Sequence, residues 1–382
     1  MKVLALGCGN IGSVAVEDLA ESVPSVEIAV ADKDAARAKT VAKKIRRNNV
    51  SAIQLDVTNH DKLVSALKSY DLAIGFLPGK LGYGLIEACI DAERNLVDVS
   101  YMAENPLKLN AKAVRARVTI VPDCGLAPGI SNFLIGHAVA KLDKVKAVHI
   151  MVGGLPEEPV APLGYTITWS PESLIDEYTR KSAIVREGRR IEVEALTGLE
   201  EVNFPKFGKL EAFYTDGLRT LLNTVENVED MWEKTLRYPG HAEKIKLLEA
   251  LGFFTERKVN VEGANVSPRK LTVSLFQEKL WRPEIKDIVA LKVEVAGTKD
   301  GKKAAYAYHL LDFFDEKHEI TAMARTTAYP MSIVAQMVLK QAVRENGVVP
   351  PEKLGMDDEL FKLFSNGLAQ RGIKVREEEK TA

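Results

Sequence analysis

A strand that runs straight into three spaced glycines constrains this chain more than any other feature. Lys2-Val3-Leu4-Ala5-Leu6 is an apolar run, Gly7-Cys8-Gly9-Asn10-Ile11-Gly12 follows at once, and Ser13 to Glu21 then carries a helical pattern. Glycine permits the tight turn at Gly7, close approach of a pyrophosphate to the backbone at Gly9, and tight helix packing at Gly12, with the helix amides facing the anion. Gly7, Gly9, Asn10, Ile11 and Gly12 are therefore expected to cradle a dinucleotide. The next apolar run, Val26 to Ala31, ends in Asp32 at the spacing of a ribose-binding carboxylate. A carboxylate there accepts from the ribose 2′-hydroxyl and repels a 2′-phosphate, which favours NAD over NADP. Lys33 and Arg37 beside it are open between offering a cation to a phosphate and being solvated charges on the next helix. Lys33 is kept among the cofactor contacts.

The pattern then repeats with α/β regularity. A helix is expected over Asp34 to Arg46, a strand over Ala52 to Leu55, a helix over Asp61 to Lys68 and a strand over Leu72 to Phe76. A helix through Leu85 to Asp91, a strand at Leu96 to Val99, a helix near Leu107 to Arg115 and a strand at Val118 to Val121 follow. Buried parallel strands place their polar residues at the carboxyl ends, where ligands sit in open sheets. Asp56 with Val57 is expected near the adenine, and Leu77 with Pro78 near the inner ribose or nicotinamide, Asp56 being equally readable as a cap. Asp98 and Asp123 belong to the same edge.

From Gly125-Leu126-Ala127-Pro128-Gly129 onward the rhythm changes to period-two strands, at Ala147 to Val152, Tyr165 to Trp169, Ala290 to Val295 and Tyr306 to Leu311. Lys299-Asp300-Gly301-Lys302 has the chemistry of a hairpin turn. Helices are expected over Thr321 to Lys340, interrupted by Pro330, and over Asp357 to Leu368, with the charged end Arg376 to Lys380 frayed and solvated. The fold class expected is α/β: a Rossmann doubly wound parallel sheet, plus a second α+β domain whose sheet is largely antiparallel. The divisions are 1–124 for dinucleotide binding, 125–322 for substrate and self-association, and 323–382 for helices that pack back on the first domain. An extended sheet with one wet face suggests a homodimer.

Composition excludes several classes. In 382 residues, 52 lysines and arginines are interleaved with 53 acidic residues, for a formal charge of -1, so no basic stripe invites nucleic acid. No apolar run approaches the roughly 20 residues of a membrane helix, and the chain opens on a core strand where no cleavable signal fits. The three cysteines, Cys8, Cys89 and Cys124, lack metal spacing and look like small buried hydrophobes of a reducing cytoplasm. No histidine pair has metal spacing, and a metal site is not expected.

The fingerprint, Pro122-Asp123-Cys124-Gly125-Leu126-Ala127-Pro128-Gly129, Tyr165-Thr166-Ile167-Thr168-Trp169-Ser170 and Arg237-Tyr238-Pro239-Gly240-His241 together resemble the saccharopine dehydrogenase-like family, and within it the L-lysine 6-dehydrogenase branch. The resemblance implies NAD-dependent oxidative deamination of the lysine ε-amine to a semialdehyde that cyclises to a piperideine carboxylate. A neighbouring possibility is imine reduction of the saccharopine or carboxynorspermidine type with NAD(P)H. A different class is an NAD-sensing protein without turnover.

Hydride can leave a carbon bearing nitrogen only if that nitrogen offers its lone pair. A lysine ε-ammonium has a pKa of about 10.4, so removing its proton at neutral pH costs roughly 4 to 5 kcal/mol. The site must supply a proton acceptor and low polarity. Asp123 is a candidate to hold the amine or its hydrolytic water, or else a helix cap. His241 is a candidate proton shuttle, or else structural. Arg237 and Arg219 compete to bind the α-carboxylate, or form internal ion pairs. Lys80 is a base only if desolvated and otherwise a surface lysine, and Tyr101 offers a hydroxyl to substrate. Tyr165 and Trp169 are expected in core or dimer contacts.

Overall fold

The computed structural model describes residues 1–381 and divides into two compact units. The first comprises Met1–Lys144, Arg219–Glu226 and Ala324–Lys374; the second comprises Val145–Leu218, Asn227–Met323 and the last strand. These boundaries differ from the 1–124, 125–322 and 323–382 division. The helix Ile130–Ala140 and the short segment at Arg219 belong to the first unit, and the last strand belongs to the second.

In the first unit, six strands alternate with helices: β1 (Lys2–Leu6), β2 (Glu27–Asp32), β3 (Val50–Gln54), β4 (Leu72–Gly75), β5 (Asn95–Asp98) and β6 (Thr119–Val121). All pair in parallel in the order β6-β5-β4-β1-β2-β3, and the short strand Gly347–Val348 adds to β6. This is the doubly wound order, with β1 at the switch point where ligands enter such sheets. Helices α1 (Asn10–Ser22), α2 (Ala35–Ile45), α3 (His60–Leu67), α4 (Gly79–Asp91), α5 (Asn110–Ala116) and α6 (Ile130–Ala140) connect or follow the strands. Leu4, Leu6, Leu63, Ile86, Leu96 and Ile120 meet in one core cluster, each contributing about 1.5–3 kcal/mol by leaving water.

The helices near the C-terminus close this unit through small residues. A Cβ on Gly136 of α6 would lie 2.0 Å from the Glu352 carbonyl oxygen, and one on Gly355 would lie 2.2 Å from that of Phe133. The two backbones therefore touch. Glu352 is fully buried, accepting from Asn132 at 2.9 Å and from Thr224 at 2.6 Å. Arg371 grips both carboxylate oxygens of Asp18 on α1 at 2.7 Å each. The bidentate geometry makes that contact stronger than a point-charge pair.

The second unit is built on a nine-stranded mixed sheet. Its strands are β7 (Lys144–Pro156), β8 (Ser182–Arg186), β9 (Arg189–Val193), β10 (Glu200–Phe204), β11 (Gly208–Tyr214) and β12 (Asp230–Arg237). After a separate two-stranded hairpin, β13 (Val259–Val261) with β14 (Ala264–Val266), come β15 (Asp287–Lys299), β16 (Lys302–Phe313) and the last strand Val375–Thr381. β15 and β16 form the expected hairpin at Asp300-Gly301, both with positive φ. β12 pairs with β7 in parallel, whereas β10 with β11, β11 with β12, β12 with β8, β8 with β9, β15 with β16 and β16 with the last strand are antiparallel.

Three expectations fail, the first at Pro330, where one helix runs on from Ala322 to Leu339 without interruption. Tyr165 to Trp169 is irregular rather than a strand, its amides at Tyr165 and Ile167 going to Val160 and Leu280 carbonyls. Arg376 to Lys380 is not frayed but pairs with β16 along its length. A ladder consists of backbone bonds, so charged side chains do not prevent it and they suit an edge strand. Among the described residues, no helix is long and apolar enough to cross a membrane.

Candidate active site

The fingerprint folds as its glycines require. Gly7 has φ +98, donates to the Ala31 carbonyl at 3.1 Å, and leaves so little room that a Cβ would meet the Phe76 carbonyl oxygen at 2.8 Å. A Cβ on Gly12 would lie 2.4 Å from the Gly7 oxygen, whereas at Gly9 the nearest atom is Arg37 Nη2 at 3.9 Å. Space is therefore kept at the second glycine and removed at the first and third. Gly9 precedes α1 without a side-chain cap, so the helix start is open to an anion. Asn10 is exposed and Ile11 half-buried. These features fit a dinucleotide pyrophosphate.

Asp32 ends β2, half-buried. Its Oδ1 accepts from the Asp34 amide at 2.9 Å and its Oδ2 from the Cys8 thiol at 3.0 Å. Burial pushes this carboxyl up, but the Asp34 amide, the thiol and the Arg37 charge outweigh it and hold it below its ordinary value. Lys33 is exposed, its carbonyl accepting from Gln54. Asp56 is exposed and makes a local turn, accepting from the Thr58 amide at 3.0 Å and hydroxyl at 2.7 Å. The cap of α3 is instead Asn59. Val57 and Leu77 pack partly against the sheet core, and Pro78 is exposed just before α4.

The ends of β5 and β6 carry a second group, also in the first unit. Asp98 is fully buried, its carboxylate accepting from the Ser100 amide at 3.0 Å and hydroxyl at 2.9 Å, while its carbonyl accepts from the Cys124 amide at 2.9 Å. Burial first, and then the neighbouring Asp123 charge, push Asp98 up to about 7 against the opposing effect of Ser100. Only glycine fits beneath it, because a Cβ on Gly75 would lie 2.1 Å from Asp98 Oδ1. Asp123, buried with φ +54, accepts from Arg219 Nε at 3.4 Å and Nη2 at 3.3 Å. Arg219 also has a left-handed φ of +53, donates Nη1 to the Met102 carbonyl, and lies 5.6 Å from the Tyr101 ring centre. Two non-glycine residues held left-handed in one buried ion pair are a costly arrangement of the kind that collects at functional sites. Lys80 is exposed on α4, and Tyr101 is half-buried with its carbonyl against Gly79.

Arg237 and His241 belong to the second unit and to another cluster. Arg237 donates to Glu177 at 3.1 Å, to the Tyr178 hydroxyl at 3.3 Å and to the Leu236 carbonyl at 2.9 Å, and stacks on Tyr165 at 4.6 Å. These are the contacts of an internal ion pair. His241 Nδ1 meets the Leu163 carbonyl at 2.9 Å, so it carries the proton, and Nε2 accepts from Tyr178 at 2.8 Å. Burial, reinforced by Arg237, pushes this imidazole down to about 3, leaving it neutral near pH 7. Trp169, partly buried against the core cluster that holds Tyr165, donates to the Tyr165 hydroxyl at 3.1 Å.

Sequence reasoning missed Cys8 as a hydrogen-bond donor, Ser100 as the partner of Asp98, and the Met102 carbonyl. Cys8 meets Asp32 and Arg219 meets Met102 across 24 and 117 residues, which no motif records, whereas Ser100 is a local turn partner of Asp98 two residues on that a motif search does not single out.

Comparison with known proteins decides the kinship. Residues 125–373 match the family model described as the saccharopine dehydrogenase C-terminal domain, and residues 3–121 match the saccharopine dehydrogenase NADP binding domain. The chain belongs to the saccharopine dehydrogenase family. Residues 3–121, within its first unit, are accordingly a nicotinamide-dinucleotide-binding domain. Among relatives, a Saccharomyces cerevisiae protein named saccharopine dehydrogenase [NADP(+), L-glutamate-forming] is 27% identical, over 66% of this chain and 58% of its own. This chain thus spans less than two thirds of that relative's length. A Synechocystis protein named carboxyaminopropylagmatine dehydrogenase is 22% identical over 96% of both chains. The apo structure of saccharopine dehydrogenase (L-Glu forming) from Saccharomyces cerevisiae shares the fold, with a TM-score of 0.80 at 20% identity and 99% coverage of both chains.

Proposed function

We propose that the protein is an NAD-dependent dehydrogenase that oxidises the ε-amine of L-lysine to the 6-semialdehyde, releasing ammonia, with the product cyclising to a piperideine carboxylate. The observation that carries this reading is the buried Asp123–Arg219 pair at the same carboxyl-end edge of the sheet that bears the fingerprint and Asp32. A bound NAD supplies the hydride acceptor. Asp123 receives or steers the proton that the ammonium must lose, and then orients the water that adds to the imine carbon. Arg219 offers its planar fork to the α-carboxylate while holding Asp123 in place. Asp98, raised to about 7 beside Asp123, keeps a second carboxylate from adding full negative charge at the site. The reaction balances as lysine ammonium plus NAD plus water giving aldehyde, NADH, ammonium and one proton.

Imine reduction with NADPH is the second reading, favoured by Arg37, whose guanidinium reaches to within 3.9 Å of the Gly9 Cβ position and could meet a 2′-phosphate. The test is a matrix of purified protein with NAD or NADP plus each amino acid, and with NADH or NADPH plus an aldehyde and an amine. Lysine with NAD is expected to give the fastest nicotinamide reduction. Turnover confined to NADPH with aldehyde and amine supports the second reading, and binding without any turnover supports a sensor.

Self-association as a homodimer belongs to the same proposal. It is supported by the half-exposed face of β7 and β12, where His149 stacks on Trp232 at 4.2 Å.

A further inference from the structure

We infer that Cys8 is a positioning residue for coenzyme choice: its thiol proton fixes the Asp32 carboxylate at the end of β2 so that it stays directed to a ribose diol rather than to Arg37. The inference rests on the proposed role of Asp32 in NAD binding.

Cys8 lies between Gly7 and Gly9, and the tight turn carries its side chain inward, leaving it 4% exposed. Its Sγ is 3.0 Å from Asp32 Oδ2, short for a thiol donor, while Asp32 Oδ1 is held at 2.9 Å by the Asp34 amide. A thiol is a weak donor to a neutral acceptor and a better one to a carboxylate. Burial, and then the bond to Asp32, push the thiol up to about 12, so it remains a donor throughout the neutral and alkaline range. Arg37 is close enough to bear on both groups, lowering Asp32 and Cys8 alike. A carboxylate tied at each oxygen keeps its negative end fixed where a 2′-phosphate would arrive. One released from the thiol can turn toward the guanidinium, and discrimination then weakens.

The test is calorimetric titration of the full chain with NAD and with NADP, alongside steady-state kinetics at saturating NAD. Cys8→Ala is expected to raise the Kd for NAD about tenfold and to change that for NADP by less than about twofold, leaving kcat unaltered. Cys8→Ser, which keeps a donor, should restore the wild-type ratio, and Cys8→Val serves as a second non-donor if the alanine variant does not fold. A merely structural role would lower the melting temperature of the variants without moving the NAD:NADP ratio, and that result overturns the inference. Asp32→Ala runs in parallel. If it shifts the ratio and neither non-donor variant does, only the role of Cys8 fails. If it leaves the ratio unchanged, the role of Asp32 in coenzyme binding fails as well.

Discussion

Arg219 answers two demands with one side chain, binding Asp123 through Nε and Nη2 and the Met102 carbonyl through Nη1. Arg219→Met is expected to raise the KM for lysine about 100-fold, the cost of leaving a buried charge without its partner, with the Kd for NAD unchanged. An unchanged KM would remove Arg219 from the substrate. His241 makes a different prediction, about stability. Its folded value is depressed to about 3, so between the unfolded value of about 6.5 and that point the unfolded chain binds a proton that the folded chain does not. The associated stability is present above about pH 6.5 and is lost as pH falls, by about 1.4 kcal/mol per unit. Denaturant melts across that window should show the slope, and His241→Gln should reduce it. At this scale the glycine turn and the place of Asp32 at the end of β2 were legible because their spacing is local. Arg237 and Arg219 were not separable in sequence, since each pairs with a buried carboxylate, 60 and 96 positions away respectively.

Elements were legible where hydrophobic period matched environment, as in the buried β1, β4 and β6, and at the β15–β16 turn. Gly12 shows how tightly the first strand-turn-helix is specified. Gly12→Ala places a Cβ against the Gly7 oxygen, now 2.4 Å from that position, and is expected to abolish NAD binding in a titration while circular dichroism stays near wild type. The last strand was illegible for the opposite reason. Arg376-Glu377-Glu378-Glu379-Lys380 has the composition of a solvated tail, yet Ala304 to Leu310 of β16 offers an edge for it to pair with. A chain truncated after Lys374 should bare that edge, lower the melting temperature and aggregate more readily. Equal stability would mean that the strand contributes nothing in solution.

For the whole molecule, the fold class followed from the α/β alternation and the later period-two pattern. The return of Ala324–Lys374 to the first unit was legible as well, but the return of Arg219–Glu226 and the passage of the last strand to the second unit were not, because contacts such as Arg219 with Asp123, 96 residues apart, leave no local trace. Size-exclusion with light scattering should give a dimer mass, and a monomer would remove the proposed self-association. The central claim concerns an amine that must lose a proton before hydride can leave. It is tested most directly by the rate of lysine-dependent NAD reduction at saturating substrates from about pH 7 to about pH 10. The expected result is a rise of about tenfold per pH unit on the acid side, levelling toward the amine pKa. A rate flat across that range, or no reduction with lysine at any pH, would contradict it.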